Sequence, residues 1–279
     1  MSRWPLGVFA SIDAGLGVDL GVARELGVPT IQLHAPHAAS RTPQRAREFL
    51  ARVTDLGMTI TVVFGGFEGE SYADIPTSKR TVGLVPLTTR AARLQEMKEI
   101  ADFARLLGVD AVGLHIGFVP HASDADYGRM IAVARDLCNH CQAQKQRVHL
   151  ETGQESADTL LKFLADTGCD NLLVNFDPAN MILYGCGDPI DALKKVGRYV
   201  RSVHCKDGKW AARPGEEWGA EMPLGQGDVG MERFLRTLKE IGYDGPLTIE
   251  REIPQDRARQ KEEIGAGMRL LEELKARIL

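Results

Sequence analysis

The sequence predicts an α/β fold, a (β/α)8 TIM barrel formed as a single domain over residues 1–279. Three observations predict it. Short β-rich runs alternate with longer helical ones eight times along the chain, the count and length of that barrel. The phrases "ARELGVPTIQL", "VTDLGMTITVV" and "ARLLGVDAVGL" repeat one unit of helix end, Leu-Gly and strand. Several strands are almost wholly apolar, as strands covered on both faces are. The main rival, a doubly wound open sheet, calls for a GxGxxG turn after the first strand and an acidic residue closing the second. The glycines of "IDAGLGVDLG" do not fit that spacing, and strand two has no acidic end.

The elements follow in order. "LGVFA" (6–10) reads as the first strand, with a helix through "VDLGVARELG". "TIQLHAP" (30–36) and "TITVVFGGF" (59–67) are the second and third, separated by the helix "RTPQRAREFLARVTDLG". A Gly/Pro-dotted loop leads to the helix "PLTTRAARLQEMKEIADFARLLG" and the fourth strand, 111–118. Helix 126–143, strand 147–153, helix 156–167, strand 171–177 and a short helix near 188–196 come next. Strand seven (199–207) runs into an irregular loop to 227, then the helix "GMERFLRTLKEIG", strand eight (247–252) and a charged final helix. Leu235, Leu238 and Ile241 show the apolar stripe of a helix packed on a core. Gly27, Gly57, Gly108 and Gly168 sit just past helices, where a left-handed cap favours glycine.

Composition narrows the function. Hydrophobic residues make up 44 % and charged residues 26 % of the chain, the profile of a soluble globular protein. The net charge of −4, with both signs interspersed, is a poor match to a phosphate backbone, so no nucleic-acid partner is expected. No apolar run approaches the roughly 18–20 residues that span a bilayer. The N-terminus lacks a signal-peptide pattern, so no membrane association and a cytoplasmic location are the expectation. Five scattered cysteines suit reduced thiols; Cys138 and Cys141 have CxxC spacing but sit in a helical context with no second pair, as packing residues rather than a zinc site.

In such a barrel the chemistry belongs to the carboxyl ends of the strands. Strand two ends at His34, three at Phe64, four at His115, five at Glu151, six at Asp177, seven at His204 and eight at Glu250. Glu151 and Asp177 are 26 residues apart, Asp177 and His204 27, about one β/α unit each; the 46 from His204 to Glu250 are one unit plus the 208–227 loop. Four consecutive strands therefore bring three carboxylates and one imidazole together. Crowded carboxylates repel and their pKa values rise unless a cation joins them. The set predicts one divalent ion held by Glu151, Asp177, His204 and Glu250. Three oxygen donors and one nitrogen suit Mn²⁺, Mg²⁺ or Co²⁺, and Zn²⁺ stays among the candidates. The bland alternative for Glu250 is a surface salt bridge between its neighbours, Arg251 and Glu252.

Nearly the whole chain resembles the xylose isomerase-like TIM barrels, the sugar phosphate isomerase/epimerase group. The resemblance rests on "HLETG" (149–153), "NFDPANMILYG" (175–185), "VHCKDGKW" (203–210) and "PLGQGDVGMERFLRTLKEIGYDGPLTIERE" (223–252). It implies the same four metal ligands. It also implies a metal-dependent isomerase or epimerase acting on a small sugar, a ketose or related cyclitol or keto-sugar. In that chemistry a proton leaves the carbon next to a carbonyl, the ion stabilises the enediolate, and Glu151 and Glu250 serve as base and acid. A dehydratase or lyase of the same scaffold, acting on inosose, dehydroshikimate or a 3-keto-glycoside, is the alternative. An endonuclease IV-like repair enzyme, which needs three zinc ions and more ligands, and a non-catalytic sugar-binding barrel stand further off. The sequence leaves a homo-oligomer open. Many relatives carry a histidine three residues after the strand-six aspartate; here that residue is Asn180, which can bond a hydroxyl but cannot titrate.

The expected substrate contacts are therefore His34, Phe64, His115, Asn180 and Lys206. Lys206 follows His204 by two and shares its side of an extended strand; it could pair with Glu151, hold a substrate oxygen or lie solvated at the rim. Trp4, Trp210 and Phe64 are candidate apolar walls, and His121 a loop contact. His149, alternating with Leu150, is expected in the barrel wall. The "GQGDVG" turn could bind a phosphate through its backbone amides or be only a turn; no arginine cluster accompanies it, which favours an unphosphorylated substrate. The 208–227 loop, with Trp218, is a candidate lid or subunit contact.

Overall fold

The computed structural model describes residues 3–13, 17–253 and 255–279. The expected turn after the first strand thus lies partly outside the described residues. Eight parallel strands close a barrel: β1 (Leu6–Ser11), β2 (Thr30–His34), β3 (Thr59–Gly65), β4 (Ala111–Leu114), β5 (Arg147–Glu151), β6 (Leu172–Phe176), β7 (Val200–Cys205) and, after a small hairpin of β8 (Asp207–Lys209) and β9 (Ala220–Met222), β10 (Leu247–Ile249). β1 pairs with both β2 and β10, which completes the cylinder. Helices α1 (Leu20–Leu26), α2 (Pro43–Asp55), α4 (Arg90–Leu106), α5 (Tyr127–Ala143), α6 (Ala157–Thr167), α8 (Pro189–Val196), α9 (Met231–Glu240) and α10 (Arg257–Ile278) form the outer ring, joined by the shorter α3 (Ile75–Thr81) and α7 (Pro178–Tyr184).

The expected α/β alternation is present, with shorter strands. β4 stops at Leu114, β6 at Phe176 and β10 at Ile249, so His115, Asp177 and Glu250 lie one residue beyond their strands. The Gly/Pro-dotted loop contains α3, whose N-terminus Asp74 caps through its side chain, and the expected irregular loop after strand seven contains the β8–β9 hairpin. α7 was hidden inside "DPANMILYG". Asp177 is its N-cap and Pro178 its first residue, a start signal that the stretch carries openly. Gly27, Gly57, Gly108 and Gly168 all have positive φ, as expected of helix ends.

Apolar side chains fill the space between sheet and helices; Phe103, Phe163, Phe176 and Phe234 are fully buried there. Trp4 belongs to this packing, fully buried with Nε1 donating to the Tyr243 carbonyl, because it precedes β1 at the amino end of the barrel. It is no wall of a sugar site. Cys138 and Cys141 are buried on α5, in keeping with a packing role. No helix among the described residues is long and apolar enough to cross a membrane.

Candidate metal centre

Glu151 closes β5, and Asp177 follows β6, so the β5–β6 pairing, which sets Glu151 opposite Asn175, brings the two carboxylates to one level. Thr152 Oγ1 clamps the junction, donating to the Asp177 carbonyl and accepting from the Asp177 amide, both at 2.9 Å. Asp177 spends Oδ1 on the amides of Ala179 (2.8 Å) and Asn180 (3.0 Å). That cap fixes the carboxylate plane and leaves Oδ2 buried without a hydrogen bond.

His204 lies beside it on β7, fully buried. Its ring packs tilted against Phe64 (centroids 5.1 Å apart) and edge-on to Phe9 (5.6 Å). Nδ1 sits 2.7 Å from Glu151 Oε1, 3.2 Å from Glu250 Oε2 and 3.7 Å from Asp177 Oδ2. Nε2 lies 2.7 Å from Oε1 of Gln32, whose amide nitrogen reaches Asn175 Oδ1 at 3.4 Å. One donor atom from each of Glu151, Asp177, His204 and Glu250 falls within 4.8 Å of the others.

The electrostatics of this knot call for a cation. Burial pushes the Asp177 carboxyl up to about 6. Burial opposes the charged form of His204 too, but Glu250 and Glu151 outweigh it and hold the imidazole well above its ordinary value. A proton on His204 thus supplies the positive charge the carboxylates require. A dication in the same space fits the donor set, the orphaned Asp177 Oδ2 and the Nδ1 lone pair of a neutral His204 together. Glu250 is drawn well below its usual range, against burial, by Lys206 and His204.

A cavity of about 310 Å³ opens above the knot, lined in part by Glu151, Glu250, His34, Phe64, His115 and Asn180. His34 Nδ1 donates to the Ala35 carbonyl at 3.1 Å, and burial pushes the ring down to about 4, so a neutral imidazole presents the Nε2 lone pair. His115 Nε2 lies 3.1 Å from Glu151 Oε2, and Gln154 donates to His115 Nδ1 at 2.8 Å. Asn180 Nδ2 donates to Glu151 Oε1 at 3.3 Å. It can approach so closely because Gly153, at φ 145, faces it; a Cβ there would lie 2.6 Å from the Asn180 Cβ.

Lys206 lines the cavity and does not pair with Glu151. Its Nζ lies 2.7 Å from Glu252 Oε1, 3.2 Å from Glu250 Oε2 and 3.8 Å from Glu221 Oε2. Arg251 reaches away to Glu221 and Glu263, so no Arg251–Glu252 bridge competes for Glu250. Trp218 roofs the cavity, its Nε1 donating to the Tyr72 carbonyl at 2.6 Å and its ring meeting Tyr184 at 4.4 Å. Trp210 does not reach the cavity, and His121 is exposed, bonded to Ser123. His149 is a wall residue as expected, its Nδ1 2.8 Å from Ser202 Oγ.

The chain matches the xylose isomerase-like TIM barrel family over residues 20–274. It belongs to that family. A xylose isomerase domain protein from Planctomyces limnophilus is 59 % identical in sequence and superimposes with a TM-score of 0.98, covering 99 % of each chain. Two other solved structures share the fold at 20 % identity and a TM-score of 0.71. One, from Mycobacterium smegmatis, is in complex with magnesium (98 % of this chain, 99 % of that one). The other is an L-ribulose 3-epimerase (99 % and 97 %). An inosose dehydratase of Clostridium botulinum is 27 % identical over 115 residues, 37 % of this chain and 38 % of that protein. The chain thus aligns with little more than a third of that curated relative's length.

Sequence reasoning missed Gln32, Gln154, Tyr72 and Tyr184. Gln32 did leave a signal, a lone amide between Ile31 and Leu33 at the middle of the strand "TIQLH".

Proposed function

We propose that this chain is a divalent-metal-dependent isomerase or epimerase of a ketose or related cyclitol, with Glu151, Asp177, His204 and Glu250 as the metal ligands. One observation carries the reading. Two carboxylates, Glu151 and Glu250, share one imidazole nitrogen, face one cavity and have different partners. When bound, a dication supplies Lewis acidity that weakens the C–H bond beside a coordinated carbonyl.

The protein's own groups do the rest. Glu151 is oriented by Asn180 at Oε1 and His115 at Oε2, and takes or returns the proton. Glu250, kept ionised by the neighbouring Lys206 ammonium, is the partner base. Removal by one glutamate and return by the other inverts a carbon; return to the neighbouring carbon moves the carbonyl. His34 Nε2 accepts a substrate hydroxyl, Phe64 and Trp218 supply apolar wall, and Tyr72 with Trp218 limits water entry. The L-ribulose 3-epimerase and the inosose dehydratase among the similar proteins support a carbonyl-adjacent proton transfer in general.

Dehydration is the second reading, favoured by Lys206. Its ammonium, beside Glu250 on the cavity wall, could protonate a departing hydroxyl. The test incubates metal-loaded protein with ketoses and inososes in D₂O and reads products by mass spectrometry. Deuterium at one carbon without change of formula is the expected result. Loss of water establishes dehydration instead, and neither label nor loss of water with any substrate removes both readings.

A further inference from the structure

The charges around the cavity point to the class of substrate it admits. Five lining carboxylates (Glu70, Glu151, Glu221, Glu250 and Glu252) face two lining cations, Lys206 and Arg251. Apart from its histidines the lining carries −3, and Asp177 beneath it with a bound dication still leaves that set negative. Both cations are committed. Lys206 has three carboxylates within 3.8 Å, and Arg251 is held between Glu221 and Glu263. Residues 1, 2, 14–16 and 254 are Met, Ser, Ala, Gly, Leu and Pro, and add no basic side chain.

Barrels of this kind commonly place a phosphate site in the loops after the last two strands. Here the amides that could form it, in the "GQGDVG" turn, are already bonded. Asp207 Oδ2 accepts from Gly225 (2.8 Å) and Gly227 (3.0 Å), while Oδ1 accepts from Gly208 (2.9 Å) and Val229 (3.2 Å). Asp207 is 1 % exposed, and a Cβ at Gly227 would fall on its carboxylate. A side-chain anion fills the nest where a phosphate would sit.

We infer that the cavity selects an uncharged polyhydroxy carbonyl compound and rejects its phosphate ester. The inference rests on the isomerase or epimerase reading for the identity of the reacting group, and on the charge arrangement alone for the exclusion. An ester would bring a dianion against a surplus of carboxylates in a confined space, with Lys206 and Arg251 already paired. The same arrangement disfavours a phosphodiester backbone.

The test uses the full chain loaded with Mn²⁺. Calorimetric titration compares D-fructose and D-tagatose with their 6-phosphates, and D₂O exchange is followed in parallel. The expected result is binding of each phosphate at least tenfold weaker than its free sugar. Glu252→Gln, which removes the exposed carboxylate beside Lys206, raises the ester-to-sugar affinity ratio at least threefold. Esters that bind or exchange as well as the free sugars overturn the charge selection and leave the reaction reading intact. Free sugars that bind without exchanging, while esters stay excluded, support the selection and remove the reaction reading. An unchanged ratio in Glu252→Gln overturns the electrostatic cause.

Discussion

Nε2 of His204 lies 2.7 Å from Oε1 of Gln32, so it is Nδ1 that turns to the carboxylates. The two residues are 172 positions apart and meet across the barrel interior. Gln32 thereby fixes which nitrogen of a neutral His204 carries the proton. Outer partners of this kind typically contribute about 10–100-fold to metal affinity. Gln32→Leu should weaken Mn²⁺ binding by about that factor, and Gln32→Glu, which retains an acceptor, should recover much of it. Isothermal titration with Mn²⁺ checks both, and unaltered affinity in Gln32→Leu reduces the residue to packing.

Asp177 gives a prediction of two signs. Its Oδ2 is buried without a hydrogen bond, and burial outweighs the nearby His204 in its effect on the carboxyl. Asp177→Asn should raise the melting temperature of metal-free protein by removing that charge, since Oδ1 remains to cap α7. The same substitution should abolish most of the rise that metal produces in the wild type. Ligand at a hundredfold excess over its dissociation constant stabilises by about 2.7 kcal/mol. Calorimetry of both proteins with and without EDTA measures the two effects, and equal metal-induced shifts would count against Asp177 as a ligand.

Glu151→Gln and Glu250→Gln should each cut deuterium exchange into substrate by about 10²–10⁴-fold, the scale of acid–base catalysis, at metal concentrations that saturate each variant. Metal content must be measured alongside, because both residues also supply donor atoms. A variant that holds metal and exchanges at the wild-type rate loses its place as base.

Glu155, away from the ligands, sets a pH dependence. It is 7 % exposed, its Oε2 has no partner, and burial pushes its carboxyl up to about 8. The unfolded chain releases this proton near the ordinary carboxylate value, whereas the folded chain keeps it up to about 8. The contribution is therefore complete at low pH, declines as pH rises through that window and is gone above it. Glu155→Gln should flatten this decline, gaining stability relative to the wild type as pH rises from 5 to about 8. Urea titrations across that interval provide the check, and parallel curves for the two proteins refute the assignment.

The barrel and the cluster of four candidate ligands were legible for one reason. A β/α repeat turns sequence period into spatial adjacency, so residues about one unit apart at strand ends must be neighbours. Glu151, Asp177 and His204 obey that rule, and Glu250 joins them once the 208–227 loop is set aside. Contacts across the interior do not. Gln32 reaches His204 through the stagger of opposing strands, which no periodicity encodes. Lys206 lay on the expected side, but its partners came from residues around β9 and just past β10, whose placement depends on the hairpin. The "GQGDVG" turn reads from sequence as a phosphate site or a bare turn; its amides instead bond a side chain, Asp207, which sits 18 residues before Gly225 and gives no local signal. Trp4 misled because an aromatic near a strand reads the same at either end of the cylinder.

The lateral seam between β7 and β10 is the shortest in the barrel. Its register has two residue pairs, Thr248 with His204 and Ile249 with Cys205, continued by the Glu250 amide to the Cys205 carbonyl at 3.3 Å. His204 and Glu250 stand on its two sides. An ion gripping both would stitch the last strand to its neighbour where backbone pairing is thinnest. Chelation should then speed amide hydrogen exchange first in β10 and α10, and the C-terminal unit would unzip before the remaining staves of the cylinder give way.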